Sequence, residues 1–424
     1  MNLSMPLVTQ LMRTHGDALY ILNSSLFAQN FVEMLTAFRK IYPETHIAYS
    51  YKTNYIPSLC RKIHQLGGFA EVVSEMEYEL AVRIGVSPTD IYYNGPYKKE
   101  PFLREALLNG ANVNLDSLAE VRMATALARA HTDRSVAVGL RCNFEIDAEG
   151  VSRFGLDCEG EEFAQALEMI KQEKNLIITG IHCHFPTRQL DSFHARAAGM
   201  TSLLRRLSLP ELRYVSFGGG YFGKIPPDFA TVFGFSPPTY ADYAAIVGKA
   251  MHDIFGPSND VRLIIEPGSA IVADAMSLAA RVVSIKTVRG RHIATLAASS
   301  YNVNPSTKGI RRPMDVFRDE AHNASGNGTS KSMKTWNIVG YTCIEDDCLY
   351  TGYEGHLAEG DIVVFHNVGS YSVVFKPPFI LPNVPVIDIA DGAYKVVKRA
   401  ETFDDIFATF DVNACTKRQQ YPTK

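Results

Sequence analysis

Several residues stand at places where they could act on a small molecule. Lys52 closes a short β-rich run, His46–Tyr51. Glu266 closes another and is followed by Pro267 and Gly268. His182 and His184 close a third, and three consecutive glycines, Gly218, Gly219 and Gly220, close a fourth. Asn94 with Gly95, and Arg141 with Asn143, end two more. A lysine whose pKa is lowered by burial or a neighbouring charge can form a Schiff base with an aldehyde. A glycine turn lets backbone N–H groups come close to a phosphate. A carboxylate opposite can keep a ring nitrogen protonated, and a histidine can stack on an aromatic ring. Together these groups suit pyridoxal 5'-phosphate (PLP), with its aldehyde at Lys52, its phosphate at the glycine turn and its pyridinium at Glu266. Each feature alone has a plainer reading: a solvated rim lysine, a tight turn, turn chemistry at Glu-Pro-Gly, a structural histidine. The conjunction carries the argument.

Such residues need a scaffold that gathers the ends of strands. Eight β-rich runs alternate with helical patterns: His46–Tyr51, Gly68–Val73, Asp90–Gly95, Asn112–Asp116, Ser135–Asn143, Leu176–His184, Arg213–Gly219 and Val261–Gly268. Between them Phe27, Phe31, Met34, Leu35 and Phe38 recur at helical spacing after a Ser24-Ser25 cap, as do Phe163, Leu167 and Ile170. Gly85 and Gly110 stand where helices stop. The pattern predicts an α/β protein whose residues 25–270 form a (β/α)8 TIM barrel, in which function collects at the C-terminal ends of the strands. An open doubly wound sheet is the competing arrangement; the first strand is not followed by G-x-G-x-x-G. Residues 271–424 read as a β-rich, Greek-key-like barrel domain, with strands at Ala279–Val288, Ile293–Leu296, Asp361–Val364 and Tyr371–Phe375. Residues 1–24 have no place in the barrel and are expected to add a strand to that second domain.

Composition removes other classes. The chain has 424 residues, 46% hydrophobic and 21% charged, which suits two or three folded domains. A net charge of −3 makes nucleic acid and anionic membranes poor partners. Seven scattered cysteines with no C-x-x-C pair argue against a disulfide scaffold or a zinc site, and no metal is expected. The N-terminus lacks a signal-peptide pattern and no run of about 18 apolar residues occurs, so a cytoplasmic enzyme without a membrane span is expected. The sequons at Asn323 and Asn327 then mark only a polar loop.

The motifs, taken in order, resemble the fold-type III, alanine-racemase-like PLP decarboxylases: diaminopimelate, ornithine and arginine decarboxylases and their relatives in siderophore and antibiotic pathways. They are Tyr49-Ser-Tyr-Lys52-Thr-Asn54, Phe69-Ala-Glu-Val-Val-Ser74, Ser152-Arg-Phe-Gly155, His182-Cys-His184, Phe217-Gly-Gly-Gly220, Glu266-Pro-Gly268, Gly340-Tyr-Thr-Cys343-Ile-Glu-Asp-Asp347 and Gly360-Asp361 through Asn367-Val-Gly-Ser-Tyr371. The resemblance implies that Lys52 binds the cofactor aldehyde, Glu266 pairs the pyridine nitrogen, and His184 stacks on the cofactor face. It implies that Gly218, Gly219 and Gly220 hold the phosphate with Tyr371 nearby, and that Arg141 and Glu71 stand behind the ring. Cys343 matches a cysteine that returns a proton after CO2 leaves. It belongs, by the same resemblance, to the partner's site in a homodimer with shared active sites.

Four departures matter. His184 is followed by Phe185, Pro186 and Thr187 rather than x-Gly-Ser; Thr187 keeps a hydroxyl for the phosphate. Ser269 stands where the family has a phosphate-binding arginine, which leaves the phosphate to another cation or weakens its binding. Ile344 replaces the acid that reads a distal amine, and an aliphatic side chain cannot pair a buried ammonium; Glu345 is adjacent and Asp347 matches a later acid. Near Tyr301 and Asn304 the diaminopimelate enzymes carry an arginine, which here is Asn304, with Arg311 and Arg312 beyond. These changes lead to the expectation of a decarboxylase acting on a modified or conjugated amino acid in siderophore or peptide-nucleotide antibiotic biosynthesis. The alternatives are a diaminopimelate or ornithine decarboxylase of primary metabolism, a racemase, and a catalytically inactive regulatory homologue.

Overall fold

The computed structural model describes all residues except 2, 147–150, 232–233, 257–258, 304–309, 319–332, 393 and 412–424. Asn304, the two sequons and Cys415 therefore lie outside the described residues. The chain forms two units. One comprises Asn23–Met276 with Asn367–Val374; the other comprises Asn2–Leu22, Ser277–His366 and Phe375–Lys424.

The second unit begins with a helix, Met5–His15, and strand β1 (Ala18–Leu22). The first unit then carries β2 (Thr45–Ser50), β3 (Phe69–Val72), β4 (Ile91–Tyr93), β5 (Asn112–Leu115), β6 (Val136–Asn143), the two-residue β7 (Leu156–Asp157), β8 (Leu176–His182), β9 (Tyr214–Ser216) and β10 (Arg262–Ile265). Their order is β5-β4-β3-β2-β10-β9-β8-β6, and β5 also pairs β6, so eight parallel strands close into a barrel. The open doubly wound sheet is thereby excluded. All eight runs read from the sequence are strands.

Local chemistry explains the intervening helices. The helix Ser24–Arg39 starts at Asn23, whose side chain accepts from the Leu26 N–H; the cap is one residue before the serines expected from the sequence. Phe27, Phe31, Met34 and Phe38 are buried on one face of it. Ser74 and Ser117 cap the helices Glu75–Arg83 and Leu118–Ala130 through the N–H groups of Glu77 and Glu120. The carboxylates of those glutamates reach back to the N–H groups of Val73 and Asp116, which fixes the turn after each strand. Gly85 and Gly110 end their helices with φ of +95° and +83°.

In the second unit β11 (Met276–Val288), β12 (Arg291–Leu296), β13 (Met314–Phe317), β14 (Lys334–Val339), β15 (Cys348–Gly355), β16 (Ile362–Phe365), β17 (Val386–Asp388) and β18 (Lys395–Lys398) join β1. The order is β15-β14-β12-β11-β1-β17-β18, with β16 pairing β11 and β13. The sheet is mixed, since β1 lies parallel to β17. Residues Tyr371–Phe375 are not a strand. Tyr371 has a φ of +57°, which no strand residue adopts, and 367–374 belongs to the barrel unit. Among the described residues no helix is long and apolar enough to cross a membrane.

One layer of the barrel interior is filled by Ala48, Tyr92, Tyr214 and Ile264, all buried. Register pairs Gly139 with Gly180, and Gly180 with Tyr214. A Cβ on Gly180 would lie 1.9 Å from the Tyr214 ring. Overpacking a closed core costs about 1–3 kcal/mol, and more where the neighbour is a rigid ring. Gly180→Ala is therefore expected to lower the urea midpoint of the barrel by the equivalent of about 3 kcal/mol; an unchanged midpoint would show that the ring can move aside.

Candidate active site

A cavity of about 450 Å³ opens where the barrel strands end. Lys52 lies two residues past β2, in a single turn of 3-10 helix over Tyr51–Thr53. Its Nζ is 2.5 Å from Glu71 Oε2, and Ser50 Oγ donates to the same oxygen. Burial pushes the Lys52 ammonium down, but Glu71, with Glu266 and Tyr371, outweighs it and holds the pKa above the ordinary lysine value. A Schiff-base lysine is expected from the sequence to have a lowered pKa. The structure corrects it: the buried Glu71 carboxylate stands against the ammonium and keeps the proton on it.

Glu266, just past β10, is buried and fully engaged. Ser216 Oγ donates to Oε1 at 2.7 Å, and His182 Nε2 lies 3.2 Å from Oε2. Asn94 Nδ2 lies 3.1 Å from both Glu266 Oε2 and Glu71 Oε1, so one amide holds the two carboxylates. Its orientation is set from behind. Tyr214 Oη donates to Asn114 Oδ1 at 2.8 Å, and Asn114 Nδ2 donates to Asn94 Oδ1 at 2.7 Å, which leaves Asn94 only donors for the carboxylates. Burial pushes the Glu266 carboxyl up, but His182, Ser216 and Lys52 outweigh it and hold it below the usual carboxylate range.

His184 accepts at Nδ1 from the Gly219 N–H at 3.0 Å, which requires a free lone pair there. Burial, reinforced by Arg141, Lys52 and Arg196, pushes its pKa well down. Both facts make it a neutral imidazole. Arg141 is buried, 3.4 Å from Asp116, with its guanidinium 4.7 Å above the Phe154 ring. Tyr371 also lines the cavity; its N–H donates to the Thr53 carbonyl.

The glycine turn differs from expectation in its donors. The Gly218 N–H goes to Ser216 Oγ and the Gly219 N–H to His184. Among the described residues, the N–H groups of Gly220 and Tyr221 have no acceptor, and both residues line the cavity. Gly218 itself is required by its φ of +63° and by the 2.5 Å that would separate a Cβ from the Cys183 carbonyl. Thr187 does not line the cavity; its carbonyl accepts from Arg196. Arg196, fully buried and overlooked in the sequence, also donates to the carbonyls of Phe185 and Gly219, and so ties the loop after His184 to the glycine turn. Ser216 and Asn114 were likewise missed. No motif marks them, because the side chains they bond at the site, Asn94, Tyr214 and Glu266, lie 20 to 100 residues away in sequence.

Cys343, Ile344, Glu345, Asp347 and Tyr301 belong to the second unit and do not line this cavity. Cys343 and Glu345 are exposed and Ile344 half-buried. Asp347 is buried, and its oxygens are taken by the Ser300 N–H and by Thr342, so it secures its own loop. Tyr301 packs edge-on against Phe379.

The chemistry of the donor set fits PLP. Lys52 offers an amine for the aldehyde, Glu266 an acceptor for a protonated ring nitrogen, and the open N–H groups of Gly220 and Tyr221 suit phosphate oxygens. A family model described as the pyridoxal binding domain of pyridoxal-dependent decarboxylases matches residues 28–273. A diaminopimelate decarboxylase of Aquifex aeolicus is 25% identical over 414 residues, 94% of this chain and 92% of its own length. A probable chloroplastic diaminopimelate decarboxylase of Oryza sativa is 27% identical over 387 residues, covering 86% and 74%. The crystal structure of the diaminopimelate decarboxylase from M. jannaschii in complex with L-lysine shares the fold, with a TM-score of 0.81 at 20% identity, covering 95% of this chain and 94% of that one. These matches overturn the expectation of a siderophore- or antibiotic-specific branch and favour the primary-metabolism alternative. That expectation leaned on a few loop residues, Ile344 above all, whereas the likeness extends over nearly the whole chain.

Proposed function

Since the chain belongs to the pyridoxal-dependent decarboxylase family and is a PLP-dependent carboxy-lyase, we propose that its substrate is free diaminopimelate, decarboxylated at one of its α-carbons. The observation that carries the catalytic reading is the convergence of Lys52, Glu71, Asn94, His182 and Glu266 in one cavity, with Ser216 donating to Glu266. The full-length likeness to enzymes named diaminopimelate decarboxylase supports the choice of substrate.

PLP, when bound, supplies the electron sink for the pair released as CO2 leaves. The chain's own groups do the rest. Lys52 holds the aldehyde end, and Glu71 holds and returns the Lys52 proton. Glu266 keeps the ring nitrogen protonated; its low pKa ensures that it is a carboxylate at neutral pH. Ser216, His182 and Asn94 fix its two oxygens in place. Neutral His184, at the cavity wall, would face the ring without adding a competing charge. The open N–H groups of Gly220 and Tyr221 would hold the phosphate, and Tyr371 lines the same cavity. Cys343 is the proposed donor of the proton that replaces CO2, acting within a homodimer of cytoplasmic enzyme.

The test is CO2 release by the purified, PLP-loaded protein from meso-diaminopimelate, L-ornithine, L-lysine and L-arginine. Diaminopimelate is expected to turn over with a kcat/KM at least tenfold above the others. Preference for ornithine, lysine or arginine would replace the proposed substrate, and silence on all four would refute a free diamino acid.

A further inference from the structure

Four cations line the cavity: Lys52, Arg141, Arg153 and Arg188. Three are accounted for by their neighbours. Lys52 faces Glu71, Arg141 faces Asp116, and exposed Arg153 stacks at 4.0 Å on Phe154, the ring that Arg141 covers. Arg188 differs. It is half-buried, its guanidinium lies 5.5 Å from the centre of the Phe222 ring, and among the described residues no carboxylate pairs with it. The titratable groups that face it are the phenols of Tyr371 and Tyr243. Burial without a counter-ion pushes its pKa down. Withdrawing a guanidinium from water is costly unless an anion meets it.

Its position is fixed from several sides. Tyr243 Oη donates to the Arg188 carbonyl at 2.6 Å and accepts from the Phe222 N–H at 3.1 Å. Arg196 ties the preceding residues, Phe185 and Thr187, to Gly219. The guanidinium is thereby held beside the segment that carries the two open N–H groups, Gly220 and Tyr221. Two unanswered backbone donors and one guanidinium without a carboxylate in one cavity suit a dianion, and Ser269, which also lines it, adds no charge.

We propose that Arg188 is the cation that binds the PLP phosphate in this chain, in place of the arginine that Ser269 replaces. The assignment rests on PLP as the cofactor. It makes the loop after His184, with its unusual Phe-Pro-Thr-Arg sequence, a phosphate-binding device.

The experiment measures dissociation constants for PLP and for pyridoxal, which lacks the phosphate, from the visible absorbance of the lysine-bound cofactor. Arg188→Gln is expected to weaken PLP binding roughly ten- to a hundredfold, the scale of a charge-assisted hydrogen bond, and to leave pyridoxal binding unchanged. Arg188→Lys should recover part of the loss, and Arg188→Gln combined with Ser269→Arg should recover most of it. Equal weakening of both ligands would assign Arg188 to the loop's structure and overturn the proposal, as would an unchanged PLP constant. Absence of binding by the wild-type protein to either ligand would instead refute the cofactor reading beneath it.

Discussion

Lys52→Ala is expected to abolish decarboxylation, with turnover reduced by roughly 10⁴-fold or more, and to remove the visible absorbance that marks a cofactor joined to lysine. The size follows from position. Among the described residues Lys52 is the lysine that lines the cavity, whereas Lys98, five residues past β4, is fully buried on Glu120 and the Gly95 carbonyl. The alanine variant also deprives Glu71 of its cation, so a loss of activity could reflect a disturbed site. Lys52→Arg separates the two causes. Its guanidinium keeps a charge against Glu71, with Ser50 and Asn94 still donating, but it cannot condense with an aldehyde. Both variants should be equally inactive, with the arginine form retaining the wild-type melting temperature. Measurable turnover in either one would refute the assignment.

Glu266→Gln is the second large effect. The substitution preserves shape and removes one charge. Oε1 and Oε2 now accept from Ser216 and Asn94 and lie against His182; an amide in this place must turn its NH2 toward one of these donors and leave it unanswered. A neutral amide also cannot hold a ring nitrogen protonated. A fall in kcat of roughly 10²- to 10⁴-fold is expected, with PLP affinity changed far less, since the phosphate contacts are elsewhere. A kcat within fivefold of wild type would remove Glu266 from the mechanism. The same residue gives a pH signature. Its pKa is lower folded than unfolded, so its contribution to stability is complete above the ordinary carboxylate pKa of about 4.5 and is lost as the pH falls below that value towards the folded one. The urea midpoint of the cofactor-free protein should therefore drop on acidification below about pH 5, and the drop should be smaller in Glu266→Gln.

The barrel was legible because its signals are local. Alternation of β runs with helical spacing survives in the order of residues, and each functional strand end carries a polar or glycine residue that an apolar core strand would not tolerate. Lys52, Glu266, His184 and the glycine turn could be named on that basis, and the structure brings Lys52, Glu266, His184, Gly219 and Gly220 to one cavity. What could not be read were partners set by closure of the barrel. Asn94 was visible as a strand-end residue, but its bond to Glu266 spans 172 positions, and nothing near it in sequence announces which oxygen it will meet. Arg196 looks like an ordinary residue of a helix until its guanidinium is seen among the carbonyls of two loops. Which glycine N–H groups remain open depended on Ser216 and His184 taking two of them first. The misread strand at Tyr371–Phe375 had the right residue types; only the left-handed backbone at Tyr371 forbids it.

The phenol that fills the barrel interior has a bearing on how this sequence can change over time. Tyr214 occupies the space that side chains at positions 139 and 180 would otherwise take, with Cβ atoms there falling 2.3 and 1.9 Å from it, and its hydroxyl begins the chain that orients Asn94. Substitutions at these three positions are therefore strongly non-additive. A larger residue at 180 becomes tolerable only after Tyr214 has shrunk, one at 139 only after Asn114, 2.1 Å from a Cβ there, has given way as well, and shrinking Tyr214 first opens a cavity and releases the amide that spans Glu71 and Glu266. Neither order offers a neutral first step, so drift at this level of the barrel is blocked in both directions, and the trio is expected to persist or to be replaced as a set.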